Sequence, residues 1–410
     1  MKMETKIISK EFIKPSSPTP YHLRHLHFSF LDQLHPHIFV PFIYFYPKKS
    51  LTNSERSKLL KKSLSKVLTI FYPAAGRVRN SYIDCNDEGL LFVEAKVNCE
   101  LSDVLRDRNL NNNNCFVPPR LHDLAGCSQI TFFNCGGIAL SLSLSHKVCD
   151  LLSFITFLNC WTAIARRDTD TDTSADMINN IPPFGSAKLF PPMDAFGVDL
   201  NVLKAKEKLV AKAFMFDNAA IADLKAQYTA INGRRLSRVE ALTDFICSRF
   251  MEATQDKNKK YRVTQAVNLR TRMDPPLPMV SFGNYSIPHD STSSVNAEFI
   301  KKLQNKDEQI NFLKRTFENF SNEEVVSFRF TSPINVPLHE IDFGWGKPLW
   351  TTITPMSTKN VIILLPTKDG LGIEALVTSK EEDMAKFELD NQLLQYVSTP
   401  PLKLDAHSRL

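Results

Sequence analysis

Hydrophobic and polar residues alternate, or recur with helical spacing, along most of the chain, and these two periods predict its elements. Alternation over residues 21–33 predicts a half-buried strand, whereas apolar positions recur every three to four residues after Ser54 and predict a helix that this serine caps. Apolar runs on either side of Gly89, and on either side of Gly136 and Gly137, predict two hairpins. The first third of the chain is therefore expected to be strand, helix, then strands.

The period changes at Leu151, directly after the tract "SLSLSHKVCD" that runs from Ser141 to Asp150. From there, apolar side chains fall on one stripe of a predicted helix: Leu151, Phe154, Ile155, Leu158, Trp161 and Ala165. The tract before them alternates as a strand does. It is therefore predicted to be a strand-to-helix junction.

The second half of the chain repeats the mixture of strands and helices. Polar residues and paired prolines over residues 166–192 are typical of a crossover between domains. Beyond it, "VAKAFMFD" predicts a strand, residues 218–229 predict a helix, and a longer helix opens with an S-x-x-E capping box at Ser237. The expected fold class is α/β, with two mixed-sheet domains of similar size at residues 1–180 and 181–410.

Composition excludes several classes of protein. The 410 residues are 43% apolar and include 29 Phe, which is ample material for packed interiors. The apolar runs fall short of the ~18 residues that a membrane span needs, and the amino-terminal residues lack the apolar core of a secretory signal. The eight cysteines include no C-x-x-C pair, which favours reduced thiols over disulfides or a zinc site. The sequence predicts a soluble, cytoplasmic, metal-free protein.

Charge and the carboxyl-terminal residues add two expectations. A net charge of +6 and an isoelectric point near 8.8 favour anionic ligands, but the basic residues are scattered, without the dense stripe of a nucleic-acid binder. No nucleic-acid partner is therefore expected. The last three residues, Ser408, Arg409 and Leu410, resemble the peroxisomal S-K-L address, so the peroxisome is the alternative compartment.

The strand-to-helix junction carries a candidate general base, His146, four residues before Asp150. An imidazole with a pKa near ~6.5 accepts a proton at neutral pH and can return it within one turnover. Asp150 falls where it can cap the following helix. The H-x-x-x-D string alone favours a simpler interpretation, a half-buried histidine hydrogen-bonded to a carbonyl beside a capping aspartate.

Other chemistries find less support in the sequence. No G-x-S-x-G nucleophile elbow is present, and the D-F-G at Asp342 lacks the glycine-rich loop and H-R-D tract of a protein kinase. Two histidine pairs, His25 with His27 and His35 with His37, have the spacing that places both side chains on one face of a strand. Two ligands do not make a metal site, so packed or solvated strands are the favoured interpretation.

A second tract, near the carboxyl end, strengthens the functional interpretation of the H-x-x-x-D tract. "SHKVCD" from Ser145 and "DFGWG" from Asp342 together resemble the signatures of the BAHD family of plant acyl-CoA-dependent acyltransferases. Within that family the chain most resembles the vinorine synthase-like branch of alkaloid O-acetyltransferases, and the acylsugar acyltransferases lie close to that branch. Further tracts also resemble the family over nearly the whole chain; they start at Lys14, Leu31, Ser63, Val267 and Gly283.

The resemblance implies a fold, a co-substrate and a mechanism. Family members have a chloramphenicol acetyltransferase-like fold with a channel between two domains. His146 would lie in that channel, take the proton from an acceptor hydroxyl as the oxygen attacks the thioester, and pass it to the departing CoA sulfur. The implied partners are acyl-CoA, expected to be acetyl-CoA, and a small-molecule alcohol such as an alkaloid. The implied enzyme is a monomer with no permanently bound cofactor.

The other signature residues are implied to support the site and not to react. Asp150 is expected to point away from the reacting atoms and to pair with Arg270 of the "NLRTR" tract. The second signature is expected to shape a loop away from the histidine, with glycines that allow a tight backbone course and a tryptophan that fills space. Its residues are Asp342, Gly344, Trp345 and Gly346.

Two alternatives to the alkaloid acetyltransferase stay open. The segment between Gly283 and Asp342 is shorter than in relatives of that branch, and "TSPINVPLHE" from Thr331 stands where many carry Ser-Trp-x-Arg. In the family this segment lines the acceptor side. A sugar-ester acceptor, or a non-catalytic binding protein on the same scaffold, is therefore kept beside the O-acyltransferase.

Overall fold

The protein is described from a computed structural model, which covers residues 3–119, 122–167, 184–193, 207–254, 259–290, 294–321 and 324–398. The strands are β1 (Thr5–Ile13), β2 (His25–His27), β3 (Phe42–Tyr46), β4 (Arg77–Val78), β5 (Tyr82–Asp84), β6 (Leu90–Val97), β7 (Gly126–Phe132), β8 (Ile138–Leu144), β9 (Leu209–Phe216), β10 (Lys260–Asn268), β11 (Ser286–Asp290), β12 (Val325–Thr331), β13 (Trp350–Ile353), β14 (Val361–Pro366) and β15 (Ile373–Lys380). The α-helices are α1 (Phe30–Gln33), α2 (Asn53–Ile70), α3 (Leu101–Asp107), α4 (Leu151–Arg167), α5 (Ser186–Leu189), α6 (Asn218–Asn232), α7 (Arg238–Thr254), α8 (Ala297–Leu303), α9 (Lys306–Ser321), α10 (Glu381–Phe387) and α11 (Asn391–Tyr396).

One six-stranded sheet has the order β1-β6-β7-β8-β3-β13. It is mixed, because β6 and β7 run parallel while its other pairs are antiparallel. The predicted hairpin around Gly136 and Gly137 is confirmed as β7 and β8. Helices α2 and α4 share a core with this sheet, and the predicted stripe on α4 buries Leu158 and Trp161 completely. Burial of that apolar stripe stabilises the junction at which α4 begins.

The other six-stranded sheet has the order β11-β10-β12-β14-β15-β9, with β10, β12 and β14 parallel. Side chains from α6, α7 and α10 pack into its core. The capping box predicted at Ser237 is present, since its hydroxyl accepts from the Glu240 amide and the Glu240 carboxylate accepts from the Ser237 amide. The expected fold class, two mixed-sheet α/β units, is confirmed.

The two sheets are tied together by β13. This strand follows β12 in the chain, yet it pairs antiparallel with β3 at the edge of the other sheet. The predicted crossover at residues 166–192 falls largely outside the described residues, and the domain boundaries at 180 and 181 stay a prediction. Within the described residues, no helix combines the length and the apolar character that crossing a bilayer requires.

The strand predicted over residues 21–33 is mostly wrong. Only His25–His27 forms a strand, in a small sheet of order β2-β5-β4, and α1 follows it. The hydroxyl of Ser29 accepts from the Asp32 amide while the Asp32 carboxylate accepts from the Ser29 amide, so a reciprocal capping box ends the alternation. A cap of this kind outweighs a short alternating pattern.

Two other local predictions need correction. The runs around Gly89 form strands, β5 and β6, but these do not pair with each other: β5 lies between β2 and β4, and β6 lies between β1 and β7. Pairing with strands distant in the sequence was favoured over the local hairpin that the turn residues predicted. Helix α2 is capped by Thr52, not by Ser54, because the Thr52 hydroxyl accepts from the amide of Glu55.

Candidate active site

His146 lies in the turn between β8 and α4. Its backbone amide donates to the carbonyl of Ile38 over 2.9 Å, and the preceding residue, Ser145, forms an antiparallel bridge with Phe39. The imidazole is half-buried, and its Nδ1 atom is buried with no hydrogen-bond partner among the described residues. The end of β8 therefore presents an imidazole whose Nδ1 makes no hydrogen bond within the described structure.

The ring of His35 packs on the ring of His146. Their centroids are 3.9 Å apart and the ring planes differ by 10°. Two residues later, Nδ1 of His37 lies 2.6 Å from Oγ of Ser145. His35 and His37 thus make two separate contacts with the junction. Their side chains do not lie together on one face of a strand. In the described part of the chain, no group of three or more His, Cys, Asp or Glu side chains could hold a metal ion.

Burial sets the charge state of both stacked rings. It lowers the pKa of His146 below the usual 6.5, although the negative charges of Asp150 and Asp32 oppose the effect. It lowers the pKa of His35 well below 6.5, and repulsion from His146 and Lys147 adds to the effect. Both rings are therefore uncharged near neutral pH, which is the state in which an imidazole accepts a proton.

Asp150 forms a buried ion pair with Arg270. The guanidinium donates to both carboxylate oxygens, over 2.7 and 3.1 Å, and the two side chains are 5% and 0% exposed. The same carboxylate accepts from the amides of Ser153 and Tyr285, both at 3.0 Å. Arg270 also donates to the carbonyl of Ser281. The sequence-predicted pairing is present, and four donors satisfy the carboxylate, so it is fixed at the start of α4.

Asn284 connects this junction to α1, a link that sequence analysis missed. Its Nδ2 donates to the carbonyl of His146 and to Oδ1 of Asp32, each over 2.8 Å. Asp32 is buried, and burial raises its pKa, while hydrogen bonds from Ser29 and Asn284 oppose the rise. The tracts "LDQ" and "GN" are points of family resemblance, which does not predict this contact. The structure places Asn284 against the backbone carbonyl of His146 and Asp32 against Asn284.

Lys147 contacts the end of α1 and donates through Nζ to the carbonyls of Asp32 and Gln33, over 3.2 and 3.4 Å. Its ammonium also sits 5.4 Å from the centroid of the Phe28 ring. Burial lowers the pKa of Lys147 to about 8. A small cavity adjoins this side chain, and its lining includes Leu26, Phe28, Phe184, Ser186 and Phe282.

The D-F-G-W-G tract forms a tight loop on the first sheet. Oδ1 of Asp342 accepts from the amides of Gly344 and Gly346, each over 2.8 Å, and both glycines have φ of +100°, which disfavours any residue with a Cβ. Trp345 is buried and stacks on Phe343. The contacts of the loop are with α4, through Trp161 and Arg166, and with β3 and α2, through Tyr46 and Arg56.

Comparisons with known proteins agree with this architecture. A family model described as the Transferase family matches residues 3–394. Vinorine synthase of Rauvolfia serpentina is 36% identical over 93% of this chain and 96% of its own. The crystal structure of vinorine synthase has a TM-score of 0.80 at 34% identity and covers 96% of this chain and 99% of that one.

A second plant relative and a more distant structure extend the comparison. Epi-neemfruitin B synthase L1AT of Melia azedarach is 35% identical over 97% of this chain and 99% of its own. The structure of F. graminearum TRI101 complexed with coenzyme A and deoxynivalenol shares the fold at 16% identity, with a TM-score of 0.71 over 91% of this chain and 99% of that one. With its two signature tracts on this fold, the chain belongs to the BAHD transferase family and is an acyl-CoA-dependent O-acyltransferase.

Proposed function

We propose that the enzyme transfers an acetyl group from acetyl-CoA to a hydroxyl of a plant specialised metabolite, an alkaloid or a terpenoid alcohol. The names of similar proteins support this class of acceptor, since they include stemmadenine O-acetyltransferase and limonoid 1-O-acetyltransferse. The observation that carries the proposal is His146, a half-buried and uncharged imidazole at the β8–α4 turn. It supplies the general base that the transfer needs.

In the proposed mechanism, both substrates bind before any bond changes. His146 accepts the proton of the acceptor hydroxyl as the oxygen attacks the thioester carbonyl carbon. The carbon–sulfur bond then breaks, and His146 returns the proton to the CoA sulfur. The products are the ester and free CoA. No permanently bound cofactor takes part in this sequence of steps.

The remaining signature residues are proposed to hold the base in place. Asp150 and Arg270 fix the start of α4, which begins five residues after His146. Asn284 fixes the carbonyl of His146. Asp342 closes the loop that contains Gly344, Trp345 and Gly346, and that loop braces α4 from the side of Trp161. These are positioning roles, since Asp150, Arg270, Asn284 and Asp342 contact protein groups in the described structure.

The experiment compares purified wild-type enzyme with His146→Ala. Free CoA is measured with a thiol reagent, using acetyl-CoA and a panel of alkaloids, terpenoid alcohols and sucrose esters. We expect His146→Ala to lower the rate about 10²-fold or more, the usual contribution of a general base. The matched control is His25→Ala, because His25 is exposed and contacts Tyr82 in the small sheet. Both variants should melt within a few degrees of wild type.

The same assay separates the alternatives. Rates with sucrose esters that exceed those with alkaloids would assign the enzyme to acylsugar acylation. CoA release by a folded His146→Ala variant at the wild-type rate would refute the proposed base. An absence of CoA release by wild type, with acceptor binding retained in calorimetry, would support the non-catalytic protein on the same scaffold.

We further propose that the enzyme works as a monomer in the cytoplasm. The peroxisome remains the alternative because of Ser408, Arg409 and Leu410, which lie outside the described residues. Acyl-CoA is present in both compartments, so chemistry does not choose between them. Targeting must be measured directly.

A further inference from the structure

His35 contacts the ring of the proposed base over a whole face. The centroid separation of 3.9 Å and the interplanar angle of 10° place the two imidazoles in parallel stacking. A ring that is stacked in this way cannot rotate about its Cβ–Cγ bond without losing the contact or displacing its neighbour. His35 therefore restricts the orientation of the His146 ring from one side.

The segment that carries His35 is itself held at both ends. On its amino-terminal side, the capping box of Ser29 and Asp32 fixes α1, which ends two residues before His35. On its carboxyl-terminal side, His37 lies within hydrogen-bond distance of the Ser145 hydroxyl. Asn284 then joins Asp32 to the carbonyl of His146. The stack is consequently anchored through both backbones that bear its rings.

Water is excluded from part of the pair. Nε2 of His35 and Nδ1 of His146 are both buried with no hydrogen-bond partner among the described residues. Charged groups near the stack act on its rings: the Lys147 ammonium lowers the pKa of His35, and the Asp32 and Asp150 carboxylates oppose the lowering of the His146 pKa. A proton on either ring would repel a proton on the other at this separation. The stack therefore disfavours the state in which both rings carry a proton, while burial disfavours the charged form of each ring.

We infer that His35 is a positioning residue for acyl transfer, which holds the His146 imidazole in one orientation and shields one of its faces from water. The inference rests on the proposed function, because it takes His146 as the base. His35 has no bonding role in the reaction and exchanges no proton with the substrates. Its contribution is geometric and electrostatic.

The test compares His35→Ala, His35→Phe and the control His25→Ala by kcat/KM as a function of pH. We expect His35→Ala to lose about 10- to 100-fold in kcat, with the KM for acetyl-CoA nearly unchanged, because the base is no longer fixed in orientation. Water that fills the space of the missing ring should return the pKa of His146 towards 6.5, so the acid limb of the profile should move to higher pH.

His35→Phe keeps a flat ring against His146 and keeps the site dry. It should therefore retain kcat at pH 8 to within about threefold, with an acid limb at or below that of wild type, because the stack survives without the ring nitrogens. A purely structural role would reduce the amount of folded enzyme without moving the midpoint of the acid limb. If His35→Ala unfolds at the assay temperature, His35→Leu replaces it, since leucine fills volume without stacking.

An unchanged kcat and pH profile in folded His35→Ala or His35→Leu would overturn the inference. A His35→Phe variant no better than His35→Ala would overturn it as well, because stacking would then not be the cause. These failures differ from a failure of the proposed function. The latter appears as activity in His146→Ala, whatever the His35 variants do.

Discussion

Removal of the Asp150 carboxylate should destabilise the enzyme and misplace its base. The carboxylate is 5% exposed and its partner Arg270 is 0% exposed, so Asp150→Ala leaves a guanidinium buried without its counter-charge. Breaking a buried pair in this way costs about 3–5 kcal/mol. The amides of Ser153 and Tyr285 also lose their acceptor, and each such loss adds about 1 kcal/mol.

The remaining hydrogen bonds of Arg270 offset part of this cost. The Arg270 guanidinium keeps its hydrogen bonds to the carbonyl of Ser281 and to Oδ1 of Asn268. We therefore expect a net loss of about 3–6 kcal/mol in the free energy of unfolding. At about 2 °C per kcal/mol for a large chain, the melting temperature should fall by roughly 6–12 °C.

The assay is thermal unfolding together with initial rates of CoA release below the melting temperature. The matched control is Asp290→Ala, which removes the partner of Arg262 from a pair whose side chains are 25% and 23% exposed. Such a pair contributes only about 0–1 kcal/mol. An Asp150→Ala variant with the melting temperature and rate of wild type would refute the reasoning, as would an equal effect in both variants.

Three further predictions follow from the site and the chain end. Burial lowers the pKa of His146 below 6.5, so the imidazole stays unprotonated into mildly acidic buffer. Wild-type kcat/KM should therefore stay flat from about pH 7 to 8 and fall only below about pH 6.5. A fall that begins above pH 7 would contradict this prediction. Initial-rate plots should intersect, since the sequence has no G-x-S-x-G nucleophile elbow to hold the acyl group, and parallel lines or an acylated peptide in mass spectrometry would oppose it. If the enzyme is peroxisomal, a fluorescent protein fused ahead of the intact tail should show puncta that vanish on deletion of Leu410. Diffuse signal from both fusions would assign the enzyme to the cytoplasm.

Periodicity in the sequence predicted the elements whose packing is governed by one buried face. The stripe of α4 is an example, because Leu158 and Trp161 are fully buried as their spacing indicates. The pattern failed where a distant partner or a cap decided the structure. Strand β5 pairs with β2 and β4 and not with the strand that follows it, and α1 replaces the end of an alternating run.

The site was predictable in part, from family resemblance and not from periodicity. His146, Asp150 and Arg270 could be proposed because they lie in tracts that resemble a family signature. His35 and Asn284 could not, since their contacts with His146 depend on how residues far apart in the chain fold together. A short tract such as "LDQ" or "GN" shows that a residue is part of the resemblance, but it carries no information about which backbone group that residue will bind.

The position of β13 has a consequence for how the chain is synthesised. Strand β3 has β8 on one side, and its other side is covered only when residues 350–353 pair with it. During translation, one edge of β3 therefore remains unpaired while β9 to β12 emerge from the ribosome. An open strand edge on a buried, aromatic-rich strand is a template for aggregation. A nascent or truncated chain that stops before Trp350 should consequently require a chaperone to stay soluble, and the first sheet should not close until most of the second has been made.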